Sequence, residues 1–452
     1  MKPERNPHTM LNGRGDRSGT VLIVTMWVVL VLAGLALVFT HAMRVELRAS
    51  ANHGASRRAD VAARGAIELA RAIAAGDADA ADACEAAAVG NAYVWMIMPD
   101  FEDDRKPAYG LIDLAGRVNI NTAPLEMLLK LPGMTSELAA SIADWRDSDD
   151  DVTPGGAENE YYLLLDEPYQ CKNAPFESVE ELLLVKGATY AILFGEDTNR
   201  NNMLDDNEND ADGSLPHDDA NGRLERGLLP YITVHSRERL EPPDGKQMVN
   251  INESPSRSGL NSLLREVITT DRYFQVMDRV RSGRPYANVL DFYVRAGLTR
   301  DEFDAIVGQL STTNDEEIAG RVNINVAPEA VLACLPSLDA ADASALAAHR
   351  GDAGTGMDTI AWVLDILPEE KAVAIGGDIT TSSYHYAADI VAIDSTGRGY
   401  ARRRVVIDLL DDSPRVAVQT DLTTLGWPLD RSIMESLRGG GTIDAALREA
   451  SR

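Results

Sequence analysis

The chain is poor in cysteine, in basic residues and in every common catalytic signature. Cys84, Cys171 and Cys334 are its only cysteines, odd in number and far apart. Such a set builds no disulfide framework and offers no Cys-x-x-Cys pair for zinc, although one disulfide remains compatible with it. Lysine and arginine number 43 against 71 aspartates and glutamates, a formal net charge of -28. That imbalance repels nucleic-acid backbones and anionic membrane surfaces, and it suits divalent cations, which need several oxygen ligands. The seven histidines include no pair at helical spacing. Gly-x-Ser-x-Gly, His-Glu-x-x-His and glycine-rich phosphate loops are absent, so an anchored hydrolase has no visible nucleophile and the chain reads as no enzyme.

Charge is missing altogether from Thr20 to Thr40, an apolar run that follows Arg17-Ser18-Gly19. As a helix it is long enough to cross a hydrocarbon core of roughly 30 Å. Lys2, Arg5, Arg14 and Arg17 precede it, which keeps the chain's start on the cytoplasmic side and sends the bulk across the membrane. The run is longer than a usual signal core, and no small-x-small cleavage site follows it; a cut between Gly19 and Thr20 fits better, with an uncleaved signal anchor as the plain alternative. Residues 41–75 lack proline and continue the helical pattern, so one helix over 20–75 is expected, with its transmembrane part at 20–40.

Beyond it the apolar, β-branched runs Tyr93–Met98 and Tyr109–Leu114 predict a hairpin. Tyr384–Ile393 and Tyr400–Leu410, joined by Asp394-Ser-Thr-Gly-Arg-Gly399, predict another, and Leu229–His235 a further strand. These segments (76–115, 228–236 and 384–410) are expected to form one antiparallel sheet against the long helix. The stretches 116–227 and 249–375 read as an inserted helical lobe, and 411–452 as a peripheral tail. The fold class is thus α+β.

The lobe contains an internal repeat. Gly116-Arg-Val-Asn-Ile-Asn-Thr-Ala-Pro124 returns as Gly320-Arg-Val-Asn-Ile-Asn-Val-Ala-Pro328, and Val249-Asn-Ile-Asn252 is a shorter echo. The first two copies open apolar helices, which predicts two related helical modules. Leu131-Pro-Gly-Met-Thr-Ser-Glu-Leu138 resembles a helix-hairpin-helix. A membrane-anchored DNA-binding protein is the rival reading; Thr135 in place of the second glycine and the acidic run after Asp144 argue against phosphate binding.

Two loops have metal-ligand spacing. In Asp197–Glu208, oxygen donors stand at loop positions one, three, five, nine and twelve: Asp197, Asn199, Asn201, Asp205 and Glu208. Met203 at position seven can offer its carbonyl, and Asn202 replaces the usual glycine at position six. This is the twelve-residue calcium-loop arrangement. His217–Glu225 is a degenerate version. A second acidic run supplies Asp147, Asp149, Asp151 and Glu158 as candidate ligands for another calcium.

Together these features resemble the minor pseudopilin K family of type II secretion systems, within the type IV pilin-like superfamily. The matching pieces are Gly19-Thr20 with the apolar run, Val118-Asn-Ile-Asn121, Trp145-Arg-Asp-Ser-Asp149, Gly156-Ala-Glu-Asn-Glu-Tyr-Tyr162, Tyr169, Lys172-Asn173 and Glu180-Glu-Leu182. The resemblance implies cleavage by a prepilin peptidase after Gly19 and methylation of Thr20. It implies a subunit anchored in the inner membrane, with its head in the periplasm. It also implies calcium in an inserted lobe, other minor pseudopilins as partners through the helix and head, and a place at the filament tip. Most pilins carry Glu at the fifth position after the cut; Val24 stands there, a departure that the K type shares.

Overall fold

The computed structural model describes residues 17–78, 83–211, 213–241, 248–255, 259–352, 357–411 and 413–450. The expected leader lies outside the described residues as far as residue 16. Helix α1 (Arg17–Ala74) begins within it, so Gly19 and Thr20 are already helical. Strands β1 (Ala87–Val89), β2 (Ala92–Met98), β3 (Ala108–Tyr109) and β4 (Ile112–Asp113) follow. The middle of the chain carries short helices and eight strands of two or three residues. These are β5 (Val118–Asn119), β6 (Ile232–Thr233), β7 (Arg237–Arg239), β8 (Val249–Asn250), β9 (Leu310–Ser311), β10 (Glu317–Ala319), β11 (Val322–Asn323) and β12 (Ile379–Thr380). The long strands β13 (His385–Asp394), β14 (Tyr400–Asp408) and β15 (Arg415–Asp421) come next, then helices Arg431–Arg438 and Ile443–Ala450.

The main sheet is antiparallel, in the order β1-β2-β13-β14-β15, with β3 on β2 and β4 on β13. One face of it takes the second half of α1. Ala55, Ala59, Ala62, Ala63, Ala66 and Ala70 are buried at helical spacing, against Val94, Met96, Ile390, Val405 and Ile407. Small side chains let the helix lie close. Gly399 at the β13–β14 turn shows how close: a Cβ there would stand 2.3 Å from the Ser56 nitrogen and 2.4 Å from the Ala55 carbonyl carbon. Arg58 donates to Asp394 beside it, at 3.0 Å. The first half of α1 covers nothing. Val21 to Phe39 leave their large apolar side chains exposed, and among the described residues this is the one helix long and apolar enough to cross a membrane.

The other face of the sheet corrects the expectation for residues 411–452. They are no peripheral tail: β15 extends the sheet, and Leu429, Ile433, Leu437 and Ala446 pack on Trp95, Ile97, Val391 and Ile393. With cover on both faces, β13 is buried along most of its length, which explains why its apolar residues stand side by side, interrupted by Asp389, rather than alternating with polar ones. A second correction concerns 228–236. Its strand β6 pairs in parallel with β5 and takes no part in the main sheet. The three thiols are buried and free.

Residues 114–384 lie between β4 and β13 and have a hydrophobic core of their own. They contain three modules of one design. Each opens on Val-Asn-Ile-Asn, runs through four or five short helical segments, and closes on a strand parallel to its opening one: β5 with β6, β8 with β9, β11 with β12. The buried first asparagine of each (Asn119, Asn250, Asn323) accepts from the amide two residues on, at 2.9 Å. Its side-chain nitrogen reaches Ser236, Asn314 or Ser383, three residues after the closing Thr or Ser. The second asparagine clamps a later loop. Asn121 exchanges two hydrogen bonds with Phe176, Asn252 does so with Tyr286, and Asn325 donates to the Met357 carbonyl while accepting from Trp362. Pairing every buried amide group in this way avoids a penalty of about 1–3 kcal/mol for each one left unmade. Val249-Asn-Ile-Asn252, short as it is in sequence, therefore opens a full third module. The first module alone carries a long insertion, residues 195–231, between its last helix and β6.

Candidate metal centre

Helix Ser136–Arg146 begins where the Thr135 hydroxyl accepts from the Leu138 amide at 3.1 Å. Its last turn does three separate jobs. Trp145 is buried against Tyr162 and Phe176, and its indole N–H donates to Glu181 at 2.8 Å. Arg146 reaches back to the carbonyls of Ile120 and Ala123, just after the Val-Asn-Ile-Asn strand. Asp144 and Asp147, one helical turn apart, point to the side where the chain returns through Glu158, the residue that starts helix Asn159–Tyr162.

One carboxylate oxygen from each of Asp144, Asp147 and Glu158 lies within 4.8 Å of the other two. Asp144 is fully buried and Glu158 is 2% exposed. Asp144 accepts from the Thr153 amide at 3.0 Å. Both oxygens of Glu158 and one of Asp147 are buried without a hydrogen-bond partner. Burial, with the charges of Asp144, Asp147 and Asp150 beside it, pushes the Glu158 carboxyl up to about 7. Burial and the neighbouring Asp149 raise Asp147 as well. Gly156 belongs to the same geometry, because a Cβ there would stand 2.0 Å from Asp144 Oδ2. Three convergent carboxylates with unmet acceptor capacity are stabilised by a hard divalent cation, and an all-oxygen donor set suits calcium or magnesium.

Of the four ligands expected in this run, the structure brings Asp147 and Glu158 together and leaves two outside. Asp149 is exposed and accepts from the Asp151 amide at 2.9 Å, and Asp151 is exposed too. Asp144 takes their place. Its spacing of three from Asp147 on a helix was the available signal, obscured by the denser acidic run after it.

The loop Asp197–Glu208 is partly buried, with Asp197, Asn201, Asn202 and Glu208 inside, and closes on itself. Asp197 accepts from the amides of Asn201 and Asn202 at 2.9 and 3.0 Å. Asn199 and Asn201 both donate to Asp205, at 2.6 and 3.0 Å. Glu208 accepts from the Thr198 and Asp205 amides at 3.3 and 3.2 Å. Asn202 takes a left-handed φ of 61°, the conformation the missing glycine would have adopted. Burial raises Asp197 to about 6 and, aided by Asp197 and Asp205, Glu208 to about 8. The loop is also docked on the main sheet. Arg402, fully buried and paired with Asp389 at 2.8 Å, donates to the carbonyls of Asn199 and Arg200 at 2.6 and 2.5 Å. Asn201 donates to Pro428 at 3.1 Å, and the Met203 side chain packs on the cluster around Trp95. The degenerate loop at 217–225 keeps its acids in local turns: Asp218 accepts from the amides of Asp210, Ala211 and Ala220.

Residues 114–193 match the family model described as type II secretion system (T2SS), protein K. This stretch is similar to a protein K domain. It spans the first module as far as helix Tyr190–Phe194 and includes the Asp144, Asp147 and Glu158 cluster; the Asp197–Glu208 loop follows it. Among solved structures, the chain is similar to one titled "The Crystal Structure of the GspK-GspI-GspJ complex from enterotoxigenic Escherichia coli Type 2 Secretion System". Identity is 12%, the match covers 84% of this chain and 98% of that one, and the TM-score is 0.36. No curated protein matches the chain. The protein K domain thus covers the part of the molecule where the acidic triad and its aromatic support lie.

Proposed function

We propose that the chain is a minor pseudopilin of the type II secretion system, anchored in the inner membrane by α1, with its head in the periplasm and its place at the tip of the pseudopilus, where it supports export across the outer membrane. The observation that carries this reading is the protein K domain set behind a long, bare apolar helix whose second half packs on an antiparallel sheet. A prepilin peptidase cuts between Gly19 and Thr20, and Thr20 becomes the methylated N-terminus. Other minor pseudopilins pack their own helices along the exposed apolar half of α1. Calcium is bound by Asp144, Asp147 and Glu158, whose unmade acceptor capacity supports the assignment. The loop of Asp197, Asn199, Asn201, Met203, Asp205 and Glu208 takes a second calcium once its internal amide bonds give way.

Mass spectrometry of the mature protein tests the processing: a methylated Thr20 N-terminus is expected, and an intact Met1 overturns it. Co-purification with other minor pseudopilins tests the assembly. Retention of those subunits on the full chain, and their loss when charges are placed in Val28–Leu37, is the expected result.

A further inference from the structure

The protein K domain exposes apolar side chains that neither the membrane anchor nor the metal centre uses. Tyr161, Leu163 and Leu164 are 40%, 52% and 86% exposed, and Leu183 and Leu184 are 41% and 47% exposed. The two stretches are neighbours. The Tyr169 hydroxyl donates to the Leu184 carbonyl at 2.6 Å, the Lys186 amide donates to the Tyr162 hydroxyl at 3.2 Å, and the Lys186 ammonium lies 5.2 Å from the Tyr161 ring centre. Tyr162, Leu182 and Val185, interleaved with them, are buried, so the module's core is already filled and the outward leucines are surplus to it. Single exposed leucines are ordinary; five large exposed apolar side chains on two adjoining stretches mark an interaction site.

Charge decides what kind. Glu160, Asp166 and Glu167 flank the apolar group in sequence and are exposed. Two basic residues lie near it, both paired: the Lys186 ammonium is held by Glu137 at 3.1 Å and by the carbonyls of Gly155 and Gly156, and Lys172 by Glu181 at 3.0 Å. An apolar centre with an acidic rim repels anionic lipid headgroups and complements a protein surface that sets aromatic or aliphatic anchors among lysines and arginines. We infer that the surface formed by Tyr161, Leu163, Leu164, Leu183 and Leu184 docks a partner protein segment with apolar anchors flanked by basic residues. The surface goes beyond the pseudopilin reading and does not depend on it.

The test uses the full chain in nanodiscs of zwitterionic lipid at physiological salt. Three fluorescent synthetic peptides serve as probes: one alternating Lys/Arg with Leu/Trp, one with Glu for every basic residue, and one with Ser for every apolar residue. The first is expected to bind, and the double variant Leu164→Ser/Leu184→Ser to weaken it by about tenfold or more, at unchanged thermal stability because both side chains are exposed. Equal binding by the double variant, or equal binding of the Glu peptide, overturns the proposal. Self-association in sedimentation that the double variant abolishes also overturns it, by assigning the surface to a second copy of the chain. Co-purification of other pseudopilins with the double variant separates this result from the assembly reading, which stays intact if only the peptide is lost.

Discussion

At the scale of single residues, the acidic triad and one histidine carry the sharpest expectations. Gly156→Ala places a methyl group on Asp144 Oδ2. The displaced carboxylate destabilises the fold by about 1–3 kcal/mol. Calorimetric calcium titration should also show affinity reduced by at least roughly tenfold, the loss of one ligand's contribution; unchanged affinity would remove Asp144 from the site. His385 is 2% exposed and 3.6 Å from Asp408, and its ring stacks on His235 at 6.5 Å. Burial outweighs the Asp408 charge and pulls its pKa from 6.5 down to about 4, with Arg237 and His235 acting in the same direction. The unfolded chain therefore takes up the proton first. The stabilising contribution is complete above about pH 6.5 and is lost as pH falls towards 4, on the order of 3 kcal/mol in all. Urea midpoints measured from pH 7 to pH 4 should fall more steeply for the native chain than for His385→Gln.

At the scale of elements, hydrophobic pattern made some parts legible and hid others. The apolar run from Thr20 and the apolar, β-branched runs of Tyr384–Leu410 signal α1 and the β13–β14 hairpin because each element is long. The parallel strands β5, β6, β8, β9, β11 and β12 have two residues each, too short for any period. Leu229–His235 was thus readable as a strand but not as the partner of Val118-Asn119. The Val-Asn-Ile-Asn motif was visible, while its role needed the structure: its asparagines tie together loops that lie tens of residues apart. Asn252→Ala removes two of those bonds, both to Tyr286, and should lower stability by about 1–3 kcal/mol in chemical denaturation. The C-terminal helices were missed because their apolar positions, Ile433, Leu437 and Ala446, are sparse among charges. Leu437→Ala should destabilise by about 2–5 kcal/mol and alter the fluorescence of Trp95 and Trp427, whose rings meet edge to face. An unchanged spectrum would mean that this layer does not hold the sheet.

At the scale of the whole molecule, polar bonds join the sheet portion to the first module's insertion, among them the Arg226–Asp104 ion pair at 2.7 Å. Arg402 makes others, reaching from a buried pair with Asp389 to the carbonyls of Asn199 and Arg200. Arg402→Met should leave each core intact and loosen their connection. Proteolysis in the 195–231 insertion should accelerate, with little change in the burial of Trp145. Added calcium should slow that cleavage in the native chain, and chelation should restore it. The loop Asp197–Glu208 was legible as a pattern of oxygen donors, but its docking on Arg402 was not, since 203 positions separate Asn199 from Arg402.

A rod with one bare end and one end cemented to a sheet behaves as a lever. α1 is 58 residues long, and tilting it by about 10° at its bare end swings the head through roughly 15 Å. Small changes in how that end is gripped thus become large displacements of everything it carries.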